Sequence, residues 1–148
     1  RMSKKETIEK LVANLEQWQQ IERRGIASTA KIQEQTDNPV IDLVMEIIQR
    51  DSAMHKRVQK LIVDSLTGTL LFSPEELSAV WGGIEEHIAL EKKTIDLGKE
   101  ALEVLGEGQG RGYILQQYLL RYLIEDEKKH DKMLADLEQI KKGMYPYG

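Results

Sequence analysis

Apolar residues recur along this chain at steps of three and four, the repeat of one face of a helix, and no segment alternates like a half-buried strand. A first stripe runs Leu11, Leu15, Trp18, Ile26, Ala30. A second runs Val44, Ile47, Ile48, Met54, Val58, Leu61, Ile62. A third runs Ile84, Ile88, Ile95, Leu102, Leu105, and a fourth Leu119, Leu120, Leu123, Leu134, Leu137. Four helices are therefore predicted. The first starts after the capping-box spacing Ser3-Lys4-Lys5-Glu6 and runs to about residue 35. The second starts at Asn38-Pro39, where proline's missing N–H costs nothing, and runs to about 66. The third starts at Ser73-Pro74-Glu75-Glu76 and runs to about 105, with a kink or break at Gly82-Gly83. The glycine-rich stretch from 106 to 112 ends it, the fourth helix takes about 113 to 142, and Gly143 to Gly148 reads as non-helical.

Such a chain is mostly helix, far above the usual share of about a third. The expected architecture is all-α, a four-helix bundle of two hairpins in one domain spanning residues 1–148. The composition, 41% hydrophobic and 31% charged, suits a folded globule. The absence of cysteine excludes a disulfide scaffold, a thiolate metal site and a thiol nucleophile on this chain. A net charge of -4 argues against a nucleic-acid partner, and no apolar run reaches the length of about 18 residues that spans a membrane. A soluble, cytoplasmic protein is the expectation. The glycine-rich stretch carries no nucleotide fingerprint, since no strand precedes it and no Walker lysine follows.

What changes the picture is that every apolar stripe is interrupted by ionisable residues. Glu22 falls on the first stripe, Asp51 and His55 on the second, His87 and Glu91 on the third, Glu127 and His130 on the fourth. A buried carboxylate is costly unless it is paired, protonated or bound to a cation. Four such interruptions are most cheaply explained if they meet. Depth agrees. Glu22 lies about 15 residues before the turn near 37, and residues 52 to 55 lie about 16 after it. Glu91 lies about 18 before the glycine loop, and Glu127 and His130 about 19 after it. Glu127-Lys128-Lys129-His130 is Glu-x-x-His, which sets a carboxylate and an imidazole on one helical face. Oxygen-rich ligands with imidazole suit iron or manganese. Within EDEKKHDK the plain alternative is a solvated charge run, and for His55 a satisfied boundary histidine. His87, one turn before Glu91, reads as a further ligand, a partner of a ligand or a proton carrier.

Glu22, His55, Glu91, Glu127 and His130, together with the stretches IALEKKTIDLGKEALE and EDEKKHDKML, resemble the di-iron carboxylate bundles of the ferritin-like superfamily, rubrerythrin-type helices in particular. The resemblance implies Glu22 and Glu91 as bridging ligands, with Glu127, His130 and His55 terminal. It implies iron, two ions if Asp51 replaces the glutamate the family has where this chain has Ser52, with manganese as an alternative. A mononuclear or asymmetric site stays open. It further implies an oxidoreductase acting on ferrous iron, oxygen or peroxide, a homodimer, and a long crossover between the second and third helices. That crossover is reached if Pro74 to Trp81 forms a short crossing helix that ends at Gly82-Gly83; otherwise the bundle is plain up-down-up-down. The rival expectation is a metal-free helical bundle with a degenerate site, serving as an interaction or structural protein.

Overall fold

The computed structural model describes residues 1–68, 73–107 and 111–144. They form four α-helices, α1 Lys4–Glu34, α2 Pro39–Thr67, α3 Pro74–Glu107 and α4 Ile114–Met144, with a single 3-10 turn at Arg111–Tyr113 and no strand among the described residues. The described residues are all-helical apart from short connections, and the chain's contacts divide it into two compact units, Arg1–Leu70 and Leu71–Gly148. Each unit is a helical hairpin, α1 with α2 and α3 with α4.

Local chemistry sets three of the helix starts. The Glu6 N–H donates to Ser3 Oγ at 3.2 Å while Ser3 N–H donates back to Glu6 Oε2 at 3.2 Å. Asn38 Oδ1 accepts from the N–H groups of Val40 and Ile41 at 2.9 and 3.3 Å, ahead of Pro39 in the first turn. Ser73 and Glu76 repeat the reciprocal cap at 3.1 and 3.2 Å.

The expected break at Gly82-Gly83 is absent, and no short crossing helix forms over Pro74–Trp81: α3 runs through both glycines without interruption. Glycine inside a helix costs about 1 kcal/mol against alanine. Here the Trp81 indole N–H donates to Glu85 Oε1 at 2.8 Å, a bond from one side of the glycine pair to the other. Buried Leu77 and half-buried Ile84 and Ile88 also hold this stretch to one continuous apolar face. The connection from α2 to α3 depends on residues 69–72, which lie outside the described residues, as do 108–110 of the glycine loop and the tail from 145. Gly143, expected beyond the last helix, lies inside α4.

In the second hairpin the packing face of α3 follows the predicted stripe, with Ile84, Ile88, Leu102 and Leu105 half-buried, but on α4 it is shifted, since Leu123, expected inside, is half exposed and its neighbour Ile124 turns inward. Leu77, Ile95 and Ile124 are buried, with Glu91 among them at 4% exposure. The helices approach closely at Gly98, where an added Cβ would stand 2.6 Å from Ile124 Cγ1.

The first hairpin departs from expectation. Leu15 and Thr29 of α1 are buried, but on α2 the buried residues are Ser52 and Gln59. Met54, Val58 and Leu61, expected in the core, are about half exposed, and Ile48 and Ile62 are also exposed. Trp18, expected to pack inside, is half exposed as well. Polar bonds explain which face of α2 turns to α1. Gln49 Nε2 donates to Gln33 Oε1 at 2.7 Å, and Glu22 engages Ser52 and His55. These contacts set the rotation of α2, and the residues a half-turn away point elsewhere. Met54, Val58 and Leu61 then line a surface hollow of about 310 Å³ with Arg57, Lys60 and Asp64.

Two glycine substitutions separate close approach from mere tolerance. Gly98→Ala should destabilise the chain by about 1–3 kcal/mol, because the β-branched Ile124 cannot withdraw without leaving its rotamer. Gly25→Ala should be neutral or stabilising by up to about 1 kcal/mol, since its Cβ would meet only Ser52 Oγ at an ordinary 3.8 Å. Urea unfolding followed by circular dichroism checks both.

Candidate metal centre

Two groups of ionisable side chains emerge, one in each hairpin. In the second, α3 supplies Glu91 and α4 supplies Glu127 and His130, the last two on one face because they are three apart. One donor atom from each of the three residues lies within 4.8 Å of the other two. His130 Nδ1 stands 3.5 Å from Glu91 Oε1 and 3.8 Å from Glu127 Oε2. The other ring nitrogen, Nε2, stands 3.5 Å from Asp126 Oδ2, and Asp126 is held on its far side by Lys129 at 2.8 Å. One turn earlier on α3, the His87 Nε2–H donates to Glu91 Oε1 at 2.7 Å.

Glu91 decides what this cluster needs. Its side chain is 5% exposed. Oε1 is met by His87 and approached by His130, whereas Oε2 is buried with no hydrogen-bond partner. A buried carboxylate oxygen left unanswered costs on the order of 1–3 kcal/mol or more. The Glu127 carboxylate adds to this, since two unit charges within 4.8 Å of each other repel by roughly 3 kcal/mol or more at an effective dielectric constant of 20. A cation relieves both costs at once. The donor set fits one: two carboxylates and an imidazole nitrogen, with the second ring nitrogen facing a carboxylate that would orient it.

The first hairpin brings Glu22 and His55 together but answers its carboxylate differently. Glu22 Oε1 accepts from the Trp18 indole N–H at 3.1 Å and from His55 Nδ1–H at 3.2 Å. The Ser52 hydroxyl donates to the same carboxylate. These donors hold the Glu22 carboxyl below its ordinary pKa, the Ser52 bond contributing most, then His55 and Trp18, with burial opposing them. Asp51, one residue from Ser52, is exposed, and among the described residues it joins no cluster of three metal-type side chains.

So the structure joins Glu91, Glu127 and His130, sets His87 against Glu91, and separately joins Glu22 with His55. The levels inferred by counting from each turn agree with both pairings. One participant was not anticipated, and another takes a role of its own. Asp126 sits four residues before His130, a spacing visible in EDEKKHDK but hidden among six other charges. Ser52, which stands where the resembled family has a ligand, is a hydrogen-bond donor to Glu22.

No protein-family model, curated protein or solved structure matches this chain. Among the described residues, no helix is long and apolar enough to cross a membrane.

The depressed Glu22 pKa has a definite sign in stability. The folded value lies below the unfolded one, so the contribution is complete above the ordinary value of 4.5 and is lost as pH falls through the folded value. Glu22→Gln should therefore flatten the acid limb of a stability-against-pH curve below about pH 5 while leaving the shape between pH 6 and 8 unchanged. Urea midpoints measured from pH 3 to pH 8 check it.

Proposed function

We propose that this chain binds a divalent transition-metal ion in its second hairpin, through Glu91, Glu127 and His130. The buried, unpartnered Oε2 of Glu91 carries the reading. Carboxylate-rich donors with one imidazole favour iron, with manganese next. The ligand types, and the Glu-x-x-His placed beside a glutamate of a neighbouring helix, support a ferritin-like, rubrerythrin-type centre as its kin. When bound there, iron would supply one-electron oxidation and reduction toward oxygen or peroxide. The chain's own contribution is to hold the ion by three side chains, orient His130 through Asp126, and keep Glu91 away from water.

The first hairpin favours a different reading for its half of the resemblance. Glu22 is already satisfied by Ser52, His55 and Trp18, so it has no deficit for a cation to fill. A single ion per chain is the stoichiometry this supports, rather than the pair a complete di-iron site would hold.

Calorimetric titration of the metal-free protein with manganous ion, and with ferrous ion under anaerobic conditions, should give one ion per chain. At an ion concentration of 100 times Kd, thermal stability should rise by about 2.7 kcal/mol, or roughly 5–10 °C in melting temperature. Glu91→Gln should abolish both effects and leave the metal-free protein as stable or more so. A wild-type protein that takes up neither ion and melts unchanged would overturn the proposal.

A further inference from the structure

We infer that His87 is a positioning residue for this centre, acting through Glu91, and that it fixes the orientation in which Glu91 meets the ion; this rests on the metal-binding reading above. His87 and Glu91 lie on successive turns of α3, four residues apart, so their side chains meet on one face. The His87 Nε2–Oε1 distance of 2.7 Å is the shortest polar contact Glu91 makes, at the length of a charge-assisted bond. A ring nitrogen that donates to a carboxylate carries its proton there and has no lone pair to offer an ion. His87 accordingly stands outside the trio of donor atoms lying within 4.8 Å of one another.

The consequence falls on the two oxygens of Glu91. Oε1 is engaged by His87, and Oε2 is buried without a partner. A free glutamate can chelate an ion with both oxygens or swing away from it. Tied at Oε1, Glu91 is held in one orientation, with that oxygen 3.5 Å from His130 Nδ1. The ion then meets a carboxylate of Glu91 already held in place, beside the Glu127 carboxylate and one nitrogen of His130. His87 itself is 56% exposed, so the tie is anchored at the surface while its far end lies among buried residues.

The test compares His87→Ala, His87→Gln and Glu91→Gln in the full chain, with manganous ion as the probe. Binding is read by calorimetry, and coordinated imidazole is counted by pulsed electron paramagnetic resonance. His87→Ala should weaken manganese binding by about 10–100-fold, the usual effect of losing a partner that orients a ligand. His87→Gln, whose amide N–H can reach the same oxygen, should restore most of that loss. The wild-type spectrum should show one coordinated imidazole, unchanged in number in both His87 variants. Binding by His87→Ala within twofold of wild type would overturn the inference. So would a glutamine variant as weak as the alanine one, or two coordinated imidazoles in the wild type. The two proposals fail distinguishably. If Glu91→Gln abolishes binding and His87→Ala does not, only the role of His87 falls. If Glu91→Gln binds as well as wild type, the site itself falls and the role of His87 with it.

Discussion

A carboxylate with one oxygen answered and the other buried without an answer organises the second hairpin. Glu91 sits between Ile88 and Ile95 on the packing face of α3, where leucine or isoleucine would cost nothing. Everything around it responds to its charge. His87 reaches from the previous turn, His130 and Glu127 face it from α4, and Asp126 takes up the outer nitrogen of His130. This is a polar centre embedded in a helix contact, and hydrogen bonds alone leave it incomplete.

The first hairpin shows the same problem solved from within. Glu22 also lies on a helix contact, at 12% side-chain exposure, yet three donors converge on it and depress its pKa. The contrast rests largely on one hydroxyl. Ser52 is short enough to be buried against α1, and its hydroxyl does most to lower the Glu22 pKa. A second carboxylate at that position would add a negative charge where the structure has a donor. Residues that look alike on paper, a glutamate and a histidine facing across a turn, therefore carry different electrostatic needs.

Much of this was legible in the sequence wherever the cause is local. The starts of α1, α2 and α3 follow from bonds that span two or three residues, and the cluster on α4 from the three-residue spacing of Glu127 and His130. Counting from each turn was enough to pair Glu22 with His55 and Glu91 with His130. Legibility failed where two local signals compete. At Gly82-Gly83 the glycine cost opposes the Trp81–Glu85 bond and the apolar face, and the latter two win. On α2 an apolar stripe competes with a polar one for the contact with α1, and Ser52, His55 and Gln49 outweigh Met54, Val58 and Leu61. Periodicity shows that both stripes exist but carries no measure of which one docks. Asp126 was invisible for another reason: in a run of charges, spacing alone does not say which acid faces a given histidine.

The two tryptophans of the chain fall one to each hairpin, and each indole N–H is tied to a glutamate four residues ahead, Trp18 to Glu22 and Trp81 to Glu85. Indole emission responds to the charge and solvation of such a neighbour. The chain thus carries two built-in optical reporters, and replacing either tryptophan by phenylalanine leaves the other to follow its own half. Trp18 touches the carboxylate at the heart of the first hairpin, so its fluorescence monitors that residue directly. Trp81 bridges the glycine pair, so its signal follows the continuity of the long third helix.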